Sequence, residues 1–266
     1  MNSPMNLGKT IYHGVADTWT ITKRNLYRYI RLPRLLVFSS IQPIMFLLLF
    51  NYVFGGAIGG AIHVPGGKYI DYLLPGILLQ TILFGGVQTG IGLAEDMGKG
   101  IIDRFRSLPM SRLAVIAGRT ISDMLRNLAV VVIMLATGFL LGFRFQNGLA
   151  GALGMIVLVL FFGYAISWAF AYVGMAVGDA ETAQLASFFF IFPLTFASAA
   201  FVPVNSMPSW LQAFARNQPI TFVTQGARQL ALGLNSGGAP WKALLSALAI
   251  MVVFVPLSIW QYKRQA

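Results

Sequence analysis

The chain has 266 residues, of which 57% are apolar by a broad count and only 10% are charged, with a formal net charge of +11. A soluble domain carries about 25% charged residues, so an ordinary water-facing globule is excluded, and the absence of cysteine excludes disulfides and thiolate metal sites. The apolar residues fall in blocks of bilayer-crossing length, about 20 residues each, and lack the period-two alternation of barrel strands, which predicts an all-α polytopic membrane protein.

Residues 1–34 are polar and basic, without the short apolar core and small-residue cleavage site of a signal peptide. Trp19, Lys23, Arg24, Tyr27, Arg28 and Arg31 mix aromatic and cationic side chains in the pattern of a segment lying at the headgroup level. Pro33 breaks this segment before the first of six predicted spans, at about 35–55, 70–94, 122–142, 150–175, 183–204 and 241–260.

Between the second and third spans lies a charged island, residues 95–112. On a helical wheel Met97, Ile101, Ile102, Phe105 and Leu108 form one stripe, while Asp96, Lys99, Asp103, Arg104, Arg106 and Ser107 share the other face. Pro109 disfavours helical geometry at Leu108 and sets a stop. A short amphipathic helix of this kind lies flat at the interface and offers its charges to a soluble partner. The fragment from Gly92 to Gly100 imitates a phosphate-binding loop, but it has five residues between its glycines, no Ser or Thr after Lys99 and no preceding strand. No ATP site is therefore expected on this chain.

Orientation follows from Lys and Arg. Fourteen fall in the N-terminal segment, around the second loop and at the C-terminus, against five on the opposite side, Lys68, Arg144, Arg216, Arg228 and Lys242. This asymmetry predicts a multi-pass protein of the cell membrane with both termini in the cytoplasm. It also accounts for the basic charge without nucleic acid.

Within the spans, Gln80, Thr81, Gln88 and Thr89 give the second a polar stripe, and amides in lipid need partners or a wet cavity. Phe188, Phe192 and Phe196 recur at i, i+4 and i+8 on the fifth, either as packing side chains or as the wall of a path for amphiphiles. The pairs Gly86/Gly90, Gly138/Gly142 and Gly174/Gly178 permit close helix contact. The outer stretch 203–240, with Pro203, Pro208, Trp210 and Pro219, is too apolar to float free and too short to cross, so an interfacial or re-entrant hairpin is expected. The eight acids cluster at span ends, and His13 and His63 have no catalytic partner, so neither an enzyme nor a proton pump is expected.

Two stretches carry a resemblance. Glu95–Arg112 followed by Gly118-Arg119, and Gly178–Gln184 followed by Phe201–Leu211 and Gln218–Thr221, together resemble ABC-2 type exporter permeases, in particular the daunorubicin-resistance permease branch. The likeness implies an N-terminal elbow helix at about Tyr12–Arg31, a transmembrane domain over 35–266, and a cytoplasmic coupling helix. It also implies two paired permease subunits, identical or related, and two separate ATPase subunits that hold ATP and magnesium. Coupling to the ATPase would fall on Glu95, Ile101, Asp103, Arg104, Phe105, Arg106 and Leu108. Where some members carry a Glu-Arg-Gly triplet, this chain has Met97-Gly98. A hydrophobic or amphiphilic substrate is implied; an ion- or proton-coupled carrier is the alternative.

Overall fold

The structure, a computed structural model, describes residues 7–31, 34–56, 68–102, 112–234 and 237–264. Among them every regular element is helical: α1 (Leu7–Arg31), α2 (Arg34–Leu49) continuing as a π-helical turn (Phe50–Phe54), α3 (Tyr69–Gly98), α4 (Arg112–Leu140), α5 (Gly148–Val177), α6 (Ala180–Phe196), α7 (Ser209–Asn217), α8 (Pro219–Leu232) and α9 (Ala239–Arg264). By length and apolar composition four of these can cross a bilayer: α3, α4 from Ala114, α5 and α9. The apolar helices at the first and fifth predicted spans, Ser39–Val53 and Ala180–Phe196, are shorter.

Two boundaries differ from the sequence expectation. The third span begins as helix at Arg112 rather than near residue 122, and Arg119, one of the charges that suggested a loop, is paired with Asp96 and Asp123 inside the bundle. The fifth stops at Phe196 instead of 204: the chain turns over Ala197–Phe201, and carbonyls of that turn are taken up by side chains. Gln218 donates to the Ala197 carbonyl, and buried Arg228 of α8 donates to those of Tyr72, Ala199 and Ala200 at 2.8, 2.7 and 2.9 Å.

Prolines and glycines set the remaining junctions. Pro208 precedes α7 and Pro219 opens α8, where a missing N–H is harmless. Gly178 ends α5 with φ +76°, a left-handed cap that an L side chain disfavours. Asp179 then caps α6, accepting from the Thr182 N–H at 2.7 Å and its hydroxyl at 2.5 Å, and these bonds hold the carboxyl below the usual carboxylate range.

The centre of the bundle is α3, buried along nearly its whole length and flanked by α2, α4, α5, α6 and α8. Its small residues bring neighbouring backbones into contact. A Cβ on Gly90 would overlap the Phe170 carbonyl, one on Gly174 the Gly90 carbonyl, and one on Gly76 the Ala200 carbonyl. The Gly86/Gly90 pair thus joins two helices of the same chain, α3 and α5. On the outside, α9 turns Trp241, Leu245, Val252 and Trp260 outward, as a lipid-facing helix does. The ends of the described chain meet at one end of the bundle: α1 packs along α4, and Tyr262 of α9 joins Leu93, Ile102 and Val115 in one apolar cluster.

Gly90→Val should drive a branched side chain into the backbone of α5, costing about 1–3 kcal/mol, read as a lower thermal midpoint of the purified protein. Gly14→Ala, in a helix with open space around it, should leave the midpoint unchanged or raise it.

Candidate functional site: a polar cavity and an aromatic ladder

One stripe of α3, Gln80–Phe84–Gln88–Ile91–Glu95, faces a cavity of about 480 Å³ closed by α2, α4, α6 and Tyr29 of α1. Gln42 and Phe46 come from α2, Arg119, Arg126 and Asn127 from α4, and Phe188 and Phe192 from α6. Four of the residues expected on a path, Gln80, Gln88, Phe188 and Phe192, therefore converge on one space. Neither glutamine hydrogen-bonds to another described residue, which leaves both amides available within it. Phe196 does not line the cavity. It stacks on Phe192 at 6.0 Å and on Phe201 at 5.3 Å, and Phe201 in turn stacks on Phe50 at 5.0 Å. With Phe84 edge-on to Phe188 at 5.9 Å and to Phe192 at 5.6 Å, the rings form a ladder from the cavity toward the Arg228 end.

At the other end of the cavity lies a charge cluster that the sequence reading did not assemble. Arg119 donates to Asp96 at 3.1 Å and to Asp123 at 3.3 Å. Asp123, fully buried, also accepts the Tyr29 hydroxyl at 2.7 Å and the Thr89 hydroxyl at 2.8 Å. Three helices, α1, α3 and α4, are thereby tied through one carboxylate. Burial, and after it the Asp123 charge, pushes the Tyr29 phenol up to about 12. Asp123 corrects the expectation that acids lie only at span ends, since it sits three turns inside α4. The signal was available as Arg119 and Asp123 spaced i, i+4 in an otherwise apolar helix. Arg126 lies beside the cluster, donating to the Gly85 carbonyl and to Asn127 at 3.0 and 3.1 Å, with Tyr29 5.7 Å away.

Of the expected coupling residues, Glu95 forms an exposed i, i+4 pair with Lys99 at 3.4 Å, and Ile101 and Ile102 lie in a helical turn, Ile102 buried. Asp103, Arg104, Phe105, Arg106 and Leu108 lie outside the described residues. The imitation phosphate loop is the C-terminal turn of α3, which presents carbonyls rather than the N–H groups a phosphate needs.

In the N-terminal helix, Trp19 and Tyr27 face outward and Lys23 and Arg31 each lie 5.8 Å from the Tyr27 ring. Arg24 bonds its neighbour Asn25, and the Arg28 side chain lies outside the described residues. The inward face meets α4 closely, with Thr22 donating to the Gly118 carbonyl at 3.2 Å. Pro203 precedes a 3₁₀ turn (Val204–Ser206), and Trp210 is exposed on α7.

The profile of the ABC-2 type transporter family matches residues 16–232. Among characterised proteins, the chain is 32% identical over 251 residues to a daunorubicin resistance ABC transporter permease protein, DrrB1, of Streptomyces coeruleorubidus, covering 94% of this chain and 87% of that one. It is 30% identical over 258 residues to a probable doxorubicin resistance ABC transporter permease protein, DrrC, of Mycobacterium tuberculosis, covering 94% and 89%. A second permease of that organism, DrrB, is 30% identical over 240 residues, covering 86% and 83%.

Asp123→Ala should cost about 3–5 kcal/mol, because it leaves Arg119 and Arg126 short of a buried counter-charge. Tyr29→Phe removes one hydrogen bond and should cost about 1 kcal/mol. Thermal unfolding of the two purified variants checks the ratio; equal losses would show that the hydroxyl, not the charge, holds the cluster.

Proposed function

The chain belongs to the ABC-2 type transporter family, and on that premise we propose that it is the membrane permease subunit of an ATP-driven exporter that moves an amphiphile from the cytoplasm or inner leaflet. The observation that carries the substrate class is the cavity: the amides of Gln80 and Gln88 and the guanidinium groups of Arg119 and Arg126 are interleaved with the rings of Phe84, Phe188 and Phe192. Such a lining offers polar and apolar contacts side by side to a molecule with a polar head and an apolar body. The aromatic ladder supplies a continuing apolar surface for that body.

In this reading α2 and α6 cross the bilayer beside the four longer helices. Helix α1, with Trp19, Lys23, Arg24, Tyr27, Arg28 and Arg31, lies as an elbow at the inner headgroups. The Lys and Arg excess supports cytoplasmic termini. Helices α7 and α8, with Pro203, Pro208, Trp210 and Pro219, form the outer hairpin. ATP and magnesium are held by a separate ATPase subunit, two copies of which serve two permease chains. The segment around Ile101–Leu108, with Glu95, Asp103, Arg104, Phe105 and Arg106, receives the push of that ATPase. The Asp123 cluster then makes α1, α3 and α4 respond together. A push at the end of α3 shifts the Gln80–Gln88 stripe against Phe188 and Phe192, which changes the cavity that holds the cargo.

Co-purification with the ATPase and measurement of ATP hydrolysis across a panel of amphiphiles tests the proposal: stimulation by some members is expected. Arg104→Ala with Arg106→Ala should abolish that stimulation while leaving membrane insertion and basal hydrolysis intact. Export that continued without an ATPase and stopped when the proton gradient was collapsed would favour a proton-coupled carrier instead.

A further inference from the structure

A second cavity, of about 540 Å³, opens at the other end of the bundle between the 199–206 segment and α8. Its polar lining includes Arg216, Arg228, Asn205, Gln225 and Gln229, and among the described residues none that lines it is acidic. Neither guanidinium has a carboxylate partner among the described residues. Arg228, only 5% exposed, donates to three backbone carbonyls and lies 3.4 Å from the centroid of the Tyr72 ring. Among the described residues, Arg216 donates only to the neutral amides of Asn205 and Gln212, both at 2.9 Å. The Gln225 amide hydrogen-bonds to no described residue.

The contrast with Arg119 decides the reading. Arg119 is partly buried and Arg228 buried in the same bundle, but Arg119 has two carboxylates and Arg228 has dipoles and a ring face. Burial accordingly pulls Arg228 below the ordinary guanidinium value, with Tyr72 opposing. Two cations bordering one cavity without an acidic lining residue among those described leave a local excess of positive charge, and the buried one, Arg228, is poorly screened by water. An anion entering there gains attraction from both and finds free donors on Gln225.

We infer that this cavity binds an oxyanion, a phosphate, sulfate or carboxylate group, held between Arg216 and Arg228. Two sources share that chemistry, the headgroup of an anionic membrane lipid and a free inorganic ion. The lipid source agrees with the exposed Trp210 and Phe214, which give α7 an apolar stripe on the same short helix as Arg216. The site is distinct from the glutamine-lined cavity and does not depend on the export reading.

The test uses the full chain purified in a neutral detergent at low salt, where charge attraction is least screened. Isothermal titration is run with short-chain phosphatidylglycerol, short-chain phosphatidylcholine and sodium phosphate. Saturable binding of phosphatidylglycerol, at least about tenfold tighter than phosphatidylcholine, is expected from one charge-assisted contact pair. Arg216→Gln, at an exposed position outside the Arg228 carbonyl cradle, should weaken it about tenfold with an unchanged thermal midpoint. Gln225→Leu should weaken it less. Phosphate binding as tightly as the lipid identifies the free ion as the source, and lipid binding alone identifies the headgroup. Equal binding of the two lipids with no binding of phosphate, or affinity for the anion that survives Arg216→Gln unchanged, overturns the assignment.

Discussion

Contact between the backbones of α3 and α5 is the constraint on which the rest of the structure depends. Gly90 and Gly174 leave no room for a side chain between the two helices, and Gly76 does the same against the turn that follows α6. Within lipid there is little hydrophobic gain from burying one apolar helix against another, so close van der Waals packing has to supply the association. Stripping the contact faces of α3 to glycine achieves that closeness. It also frees the remaining stripe, Gln80, Phe84 and Gln88, to carry groups that packing does not consume.

Charge inside the bundle is handled in two ways, and the difference organises the two ends of the molecule. At one end Asp123 gathers Arg119, Tyr29 and Thr89, so that a buried carboxylate and a partly buried guanidinium compensate each other and bind α1, α3 and α4 into one unit. At the other end Arg228 closes the exposed carbonyls after α6 and fixes α8 against the start of α3. The first arrangement is electrically balanced and mechanical. The second satisfies hydrogen bonds but leaves positive charge uncompensated.

Between these ends polar and aromatic side chains alternate: Phe84 stands between Gln80 and Gln88 with its ring edge-on to Phe192, and the stacked pairs Phe192–Phe196, Phe196–Phe201 and Phe201–Phe50 continue toward Arg228. Ring faces offer apolar contact without a fixed donor or acceptor pattern.

Helical class, membrane residence and the glutamine and phenylalanine stripes were legible in the chain itself, because composition, block length and the spacing of side chains on one helix are local properties. The prolines at the starts of α7 and α8 were legible for the same reason, each acting through its own backbone geometry. Which faces meet was decided only in three dimensions. The glycine pairs give no sign in sequence of whether they serve a neighbour in the chain or another molecule. Asp123 sits beside Tyr29 across 94 positions and Arg228 beside Tyr72 across 156. Pairings at that range are fixed by the packing of whole helices, which brings a buried charge such as Asp123 or Arg228 to partners inside the protein because the surrounding hydrocarbon offers none.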